Sequence, residues 1–167
     1  MYQFADNNDN KETVFTIKVQ DLKFGVGALR ELGPDAVALK MERIALFLDG
    51  NIQDGEPIHR VKKSLKSSGV DFEIYDKAVC EPNTTSCMAA AEFVKNGNFD
   101  GFVSIGGGSV MDTAKAANLL SCHGGQILDY VNAPIGQAKK VPGPLMPHIA
   151  CPSTSGTGAE TTGIVVL

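Results

Sequence analysis

Residues 100–115 read Asp100-Gly-Phe-Val-Ser-Ile-Gly-Gly-Gly-Ser-Val-Met-Asp-Thr-Ala-Lys115 and contain two different patterns. The first half, Phe102 to Ile105, is short, apolar and partly β-branched, which predicts a strand buried on both faces. Three glycines follow, and small and apolar residues then recur at helical spacing. The stretch therefore predicts a strand, a glycine turn and a helix. We expect Ser109 to cap that helix, with Asp112 reaching back to the Ser109 amide.

The glycine turn at Gly106, Gly107 and Gly108 allows two interpretations. The N-terminus of a helix presents unpaired backbone N–H groups and the positive end of the helix dipole. Glycines there let an anion approach the backbone, so one interpretation is a cradle for phosphate or pyrophosphate. The alternative is a tight turn that needs positive φ angles. The strand before the turn and the capped helix after it favour the cradle.

The composition is that of a folded protein. Hydrophobic residues make up 43% of the 167 and charged residues 20%, which excludes a disordered chain. This length predicts one domain over residues 1–167, with residues 1–12 as a disordered tail. The net charge is -4 and Lys and Arg are not clustered, so we expect no nucleic-acid or membrane partner. The first residues have no apolar core and predict no signal peptide.

The cysteines and histidines predict neither a disulfide framework nor a metal site. The four cysteines have no Cys-x-x-Cys spacing, and most lie among apolar or small residues, which favours a reducing compartment. The three histidines are far apart in sequence and form no His-x-x-x-His pair.

Strand and helix patterns alternate along the chain at the spacing of βαβ units. Strands are predicted at 13–19, 43–48, 70–75, 102–105 and 148–151, and β-rich residues return at 163–167. Helices are predicted at 28–32, 34–40, 57–68, 84–94, from 109 to a stop at 122–125, and at 127–131. Gly33-Pro34 is expected to separate the first two helices, and Thr84 or Thr85 to cap the fourth. The pattern predicts an α/β fold with a mostly parallel sheet, helices on both faces, and ligands at the carboxyl ends of the strands.

Asp49 follows the predicted strand 43–48 and has two interpretations. A carboxylate at the carboxyl end of a parallel strand is placed to accept hydrogen bonds from a ribose diol. It would also repel a 2′-phosphate, which favours NAD over NADP. Alternatively, Asp49 begins a turn with Gly50.

A second loop, Ser153 to Gly158, follows the last predicted strand and contains four hydroxyl residues and two glycines. Hydroxyls and bare amides can bind phosphate oxygens, and in a parallel sheet this loop shares an edge with the glycine turn. The alternative is a Ser/Thr-rich turn that caps a helix. Asp112 and Lys115 on the first helix could contact a nicotinamide ribose, or could be a cap and a solvated lysine.

Taken together, Gly106–Lys115 and Pro152–Thr162 resemble the iron-containing alcohol dehydrogenase family. The likeness extends from about Phe24 to the end of the chain. Further stretches, Leu128–Gly136 among them, resemble the hydroxyacid–oxoacid transhydrogenase branch. Two positions depart from the family pattern: Ser153 stands where threonine is usual, and Ala159 where serine is usual.

The resemblance implies a Rossmann-like N-terminal domain that binds NAD, and a C-terminal helical domain that is absent here. In that domain an aspartate and three histidines would hold iron or another divalent metal. In this chain, Asp49 would bind the adenosine ribose, and Asn83 would lie near the adenine. The glycine turn with Ser109 would hold the pyrophosphate, and Asp112 would lie near the nicotinamide. The implied cofactor-binding residues are Asp49, Asn83, Gly106, Gly107, Gly108, Ser109, Asp112, Ser153, Thr154 and Thr157.

The activity that the resemblance implies is hydride transfer between an alcohol or hydroxy acid and an aldehyde or oxo acid. The partners would be the dinucleotide, a small substrate and further copies of the chain, in the mitochondrial matrix or the cytoplasm. The metal ligands would lie outside this chain, so we expect the chain alone to be inactive. Two alternatives stay open: an NAD(P)-dependent alcohol or lactaldehyde dehydrogenase, and a non-catalytic nucleotide-binding module.

Overall fold

The computed structural model describes residues 20–167, and four strands in this range form one parallel sheet. The predicted tail and the predicted strand 13–19 lie outside the described residues. The strand order is β2-β1-β3-β4, and every pair of neighbouring strands is parallel. The strands are β1 Arg43–Leu48, β2 Asp71–Tyr75, β3 Gly101–Gly106 and β4 His148–Pro152.

Five α-helices and three short 3-10 turns connect and flank the strands. The α-helices are α1 Leu32–Ala38, α2 Glu56–Ser67, α3 Thr84–Gly97, α4 Gly108–His123 and α5 Ile127–Tyr130. The 3-10 turns are Ala28–Glu31, Gly50–Ile52 and Ala159–Thr161. None of the helices within residues 20–167 is long and apolar enough to cross a membrane.

The sheet is covered by helices on both faces, as predicted. Successive side chains of β1 point to opposite faces of the sheet. Ile44 and Leu46 therefore pack with apolar residues of α1 and α2, while Ala45 and Phe47 pack with residues of α3 and α4. All six residues of the central strand β3 are buried. This is the α/β architecture that the alternation of patterns predicts.

The last strand differs from its prediction. β4 was expected to be buried, but His148 to Cys151 are only half-buried. The reason is that β4 lies at the edge of the sheet and pairs with β3 alone among the described strands. Residues 163–167, which are rich in β-branched side chains, form no strand and are irregular.

The predicted helix stop at Gly33-Pro34 is wrong. The 3-10 turn Ala28–Glu31 continues directly into α1, and Gly33 and Pro34 lie in the first turn of α1. Proline is tolerated there because its missing N–H would have no helical partner. Gly33 instead permits close helix packing: a Cβ atom at this position would lie 2.3 Å from the carbonyl oxygen of Ser64 in α2.

The cap of α3 is also not the one predicted. Asn83, rather than Thr84 or Thr85, is the N-cap residue, and its side-chain oxygen accepts a hydrogen bond from the backbone N–H of Ser86 at 3.0 Å. The hydroxyl oxygen of Ser86 accepts from the Asn83 N–H at 2.9 Å. The two residues thus form a reciprocal capping box.

Candidate functional site

The two predicted loops lie at the same edge of the sheet. Because all strands are parallel, the residues that follow β1, β3 and β4 meet there. The strand order changes direction between β1 and β3, and this is the crevice where open α/β sheets bind ligands. Asp49 and the glycine turn flank this crevice, and the Asp49 N–H donates to the carbonyl oxygen of Ile105 at 3.3 Å.

The glycine turn does not need positive φ angles. None of Gly106, Gly107 and Gly108 has a φ in the left-handed region, so the interpretation as a positive-φ turn is wrong. Instead the three positions are crowded. A Cβ atom on Gly106 would lie 2.6 Å from Cγ2 of Val110, and one on Gly107 would lie 3.3 Å from Oγ1 of Thr154. The glycines therefore allow α4 to approach β3 and the second loop to approach the turn.

The N-terminus of α4 carries free backbone N–H groups. Its N-cap is Gly107, and no side chain caps the helix. The predicted Ser109 cap is wrong because the N-cap position lies two residues earlier, at Gly107. The Ser109 hydroxyl oxygen accepts instead from the Glu81 N–H at 3.3 Å. Within residues 20–167, the N–H groups of Gly108 and Ser109 donate to no protein acceptor. Such groups, together with the helix dipole, favour an anion.

The second loop lies beside this helix terminus. The Ser153 N–H donates to the carbonyl oxygen of Gly106 at 2.9 Å, which ties the two loops together. Ser153 and Thr154 are exposed, so their hydroxyls are accessible at the crevice. Thr157 partly fits the alternative interpretation as a capping turn, since its Oγ1 atom accepts from the Ala159 N–H at 3.3 Å.

The Asp49 carboxylate takes part in a turn. Its Oδ1 atom accepts from the backbone N–H of Asn51 at 2.9 Å and from the Asn51 side-chain amide at 3.0 Å. The residue caps the 3-10 turn Gly50–Ile52, as the turn interpretation expects. Asp49 is nevertheless partly exposed at the crevice, so one carboxylate oxygen stays available for a ribose. Its role as a cofactor ligand stays a prediction.

Asn83 belongs to the loop between β2 and α3, which reaches the glycine turn through the Glu81–Ser109 hydrogen bond. The structure therefore places this loop at the site, but the Asn83 side chain itself is used as the cap of α3. Its predicted contact with the adenine also stays a prediction.

Asp112 and Lys115 form an ion pair, with Nζ and Oδ1 3.1 Å apart. The side chains are 7% and 14% exposed, respectively. Asp112 is therefore not a helix cap, and Lys115 is not a solvated lysine. The pair lies on α4, directly behind the helix terminus.

His148 and Ser104 form a polar contact that the sequence did not single out. The His148 Nε2 and Ser104 Oγ atoms are 2.8 Å apart between β4 and β3. Desolvation and, to a smaller extent, the nearby charge of Lys115 together lower the pKa of His148 from 6.5 to about 4. The imidazole is thus neutral near pH 7. In the sequence, the only feature that could have pointed to His148 is its position at the start of a predicted strand.

A cavity of about 660 Å³ lies between α1 and α2. Its lining includes Arg30, His59 and Lys63 but no residue of the glycine turn or the second loop. This cavity is therefore separate from the candidate site.

Comparison with known proteins identifies the group to which the chain belongs. The family described as iron-containing alcohol dehydrogenase matches residues 20–167. The rat protein named "Hydroxyacid-oxoacid transhydrogenase, mitochondrial" (Rattus norvegicus) is 45% identical over 153 residues, which are 91% of this chain and 33% of the relative. The chain thus spans about a third of the length of the curated relatives it matches.

Solved structures show the same fold. The alcohol dehydrogenase ADH/D1 from an archaeal halo-thermophile of a Red Sea brine pool has a TM-score of 0.78 at 26% identity, over 92% of this chain and 40% of that one. Sulfoacetaldehyde reductase from Bifidobacterium kashiwanohense, solved in complex with NAD+, has a TM-score of 0.72 at 27% identity, over 81% of this chain and 35% of that one.

The family name implies a metal, and the fold implies a dinucleotide. The described residues fit the dinucleotide but do not fit the metal. Residues 20–167 contain no group of three His, Cys, Asp or Glu side chains that could hold a metal ion. By contrast, the free N–H groups of Gly108 and Ser109 and the neighbouring hydroxyls match a pyrophosphate. On the match over residues 20–167, the chain belongs to the iron-containing alcohol dehydrogenase family.

Proposed function

We propose that residues 20–167 form the NAD-binding domain of an oxidoreductase that transfers hydride between hydroxy and oxo compounds. The observation that carries the proposal is the uncapped N-terminus of α4. It opens at the point where the strand order reverses, and its first two N–H groups have no acceptor among the described residues. A dinucleotide pyrophosphate supplies the missing acceptors and the negative charge that the helix dipole favours.

The residues around this terminus have distinct roles in the proposal. The N–H groups of Gly108 and Ser109 hold the pyrophosphate, and Gly106 and Gly107 keep the backbone accessible. Hydroxyls of the second loop add donors without introducing a cation, as in other phosphate-binding turns. These are supplied by Ser153, Thr154 and Thr157.

The remaining predicted contacts lie around this core. Asp49 accepts hydrogen bonds from the adenosine ribose and disfavours a 2′-phosphate. Asn83 lies toward the adenine end, in the loop that reaches Ser109. Bound NAD supplies the position that accepts or donates hydride. The residues of this chain bind and orient it.

The whole protein, we propose, moves hydride between a hydroxy acid and an oxo acid. The support is the 45% identity to a protein named hydroxyacid-oxoacid transhydrogenase. The metal ligands then belong to residues outside 20–167, so the chain alone binds NAD without turnover. The names of the relatives contain the word "mitochondrial" and so support a mitochondrial location. A homo-oligomer remains part of the proposal.

The role of the helix terminus can be tested by removing one N–H group. Ser109→Pro deletes the donor at the second position of α4, where proline is compatible with a helix; α2 already carries Pro57 at that position. Ser109→Ala is the matched control, because it removes the hydroxyl and keeps the N–H. A hydrogen bond to a charged group is worth roughly 1.5–3 kcal/mol.

We therefore expect Ser109→Pro to weaken NAD binding about tenfold or more and Ser109→Ala to weaken it less than about threefold. Isothermal titration calorimetry measures both, and the melting temperature shows whether each variant is folded. Equal affinity of a folded Ser109→Pro variant and wild type would contradict the pyrophosphate position.

A further inference from the structure

The second loop is fixed at both of its ends. Its near end is held by the hydrogen bond from Ser153 N–H to the Gly106 carbonyl oxygen. Beyond the loop, the 3-10 turn Ala159–Thr161 contacts α4, and the chain continues as residues 163–167. These residues form no strand, so their position on the domain has to come from other contacts.

Asp112 and Lys115 supply those contacts. The Lys115 ammonium donates to the carbonyl oxygen of Ile164 at 2.9 Å. The second carboxylate oxygen of Asp112 accepts from the Val166 N–H at 3.2 Å. Asp112 therefore uses one oxygen for Lys115 and the other for Val166. The pair therefore binds backbone groups of this segment, at Ile164 and Val166, and not its side chains.

The side chains of this segment alternate between exposed and packed positions. Ile164 and Val166 are each 67% exposed. Val165, between them, packs against the buried cluster that contains Cys87 and Leu120. Among the described residues, the two hydrogen bonds and this one apolar contact are what attach the segment to α4.

The ion pair between Asp112 and Lys115 is largely buried, so its hydrogen-bond partners matter for stability. Removing two charges from water is costly unless the remaining donors and acceptors are satisfied. Here the carboxylate and the ammonium bind each other, and each also binds one backbone group of residues 164–166, so both carboxylate oxygens already accept a hydrogen bond within the chain. These contacts give Asp112 a structural role, and its contact with the nicotinamide, which the family resemblance implies, stays a prediction.

We propose that Asp112 and Lys115 are positioning residues: they clamp residues 164–166 to α4 and so fix the far end of the second dinucleotide loop. Asp112, Lys115 and the N–H groups of Gly108 and Ser109 belong to the same helix, α4, so the clamp fixes the position of the second loop relative to those N–H groups. The consequence for cofactor affinity rests on the proposed function, whereas the clamp itself does not.

Hydrogen exchange of backbone amides tests the clamp on the 167-residue chain without any ligand. We expect a protected Val166 amide in wild type. Lys115→Met keeps the apolar stem and removes the donor, and Asp112→Ala removes the acceptor. Both should accelerate exchange at Val166 about tenfold or more, while the Val103 amide in β3 reports an intact sheet. Asp112→Asn keeps an acceptor oxygen and should restore most of the protection.

Lys139→Met is the matched control, because Lys139 forms another ion pair of similar length, 3.0 Å to Asp129. It should leave exchange at Val166 unchanged. If Asp112→Ala does not fold, Lys115→Met decides alone. Unprotected Val166 in wild type, or unchanged exchange in a folded Lys115→Met variant, would overturn the clamp.

An NAD titration of Lys115→Met separates the clamp from a direct contact. A loosened loop must be ordered on binding, so we expect affinity to fall about fivefold together with faster exchange. Loss of affinity with unchanged exchange at Val166 would instead show a direct cofactor contact and contradict the positioning role. If wild type itself binds no NAD, the proposed function fails, and the exchange experiment still decides whether the clamp exists.

Discussion

Gly108 faces Thr157 so closely that a Cβ atom at Gly108 would lie 2.7 Å from the Oγ1 atom of Thr157 and 3.2 Å from its Cγ2 atom. The two residues belong to different loops, one after β3 and one after β4. Gly108 has no unusual φ, so glycine is required here by the neighbouring loop and not by its own backbone. The contact brings the hydroxyl residues of the second loop to the free N–H groups of α4.

We predict that Gly108→Ala weakens NAD binding about fivefold or more, because the added methyl group displaces Thr157 and its loop. Overpacking of this kind costs roughly 1–3 kcal/mol, while alanine favours the helix by up to about 1 kcal/mol. The net loss of stability should therefore not exceed about 2 kcal/mol, and the melting temperature shows whether the variant is still folded. Gly163→Ala is the control, since a Cβ atom there meets no atom within 4 Å. Unchanged affinity in Gly108→Ala would show that the loop contact does not matter for binding.

Asn83→Ala should lower the free energy of unfolding by about 1 kcal/mol, because α3 loses its N-cap. Asn83→Ser preserves a capping oxygen and should recover most of this loss. Urea denaturation of the three proteins measures the effect. The pair also tests the predicted adenine contact. If Asn83→Ser is as stable as wild type but binds NAD markedly less well, the side chain contacts the cofactor directly. Equal affinity would restrict Asn83 to its role as a cap.

Stability should depend on pH through His148. Its pKa is about 4 in the folded protein and 6.5 in its ordinary state, so between these values the unfolded chain binds more protons than the folded one. The free energy of unfolding therefore falls as the pH falls, and the contribution is fully present above pH 6.5. The loss between pH 7 and pH 5 amounts to about 2 kcal/mol.

The variant His148→Gln isolates this effect. Glutamine can keep a hydrogen bond to Ser104 but does not titrate, so the loss of stability between pH 7 and pH 5 should shrink by about 2 kcal/mol relative to wild type. His59→Gln, at an exposed position of α2, is the control. If wild type and His148→Gln lose stability equally over this interval, His148 is not the responsible group.

The sequence predicts the parts of this fold that depend on local pattern. The strand 43–48 has the predicted bounds, because an unbroken apolar run between polar residues leaves few alternatives. The shared edge of the two loops follows from the alternation of strands and helices, since parallel strands end on the same side. The family motifs predicted the domain, and the match over residues 20–167 confirms the family.

The errors have a common physical cause, which is contact with residues far away in sequence. Gly33 has the sequence pattern of a helix stop, but Ser64, 31 residues later, explains the glycine. The Ser64 carbonyl oxygen leaves no space for a side chain at Gly33, and the Ser64 hydroxyl oxygen accepts a hydrogen bond from the Gly33 N–H. Ser109 looks like a cap, but its hydroxyl is used by Glu81. Asp112 looks like its partner, but it binds Val166, 54 residues away. No local pattern contains these contacts.

The most direct test of the central claim is calorimetric titration of the folded 167-residue chain with NAD and, separately, with NADP. The account predicts that NAD binds with one site per chain and that NADP binds at least about tenfold more weakly, because Asp49 opposes a 2′-phosphate. Binding of neither dinucleotide by a chain whose melting curve shows it to be folded would contradict the claim that this edge of the sheet is a dinucleotide site.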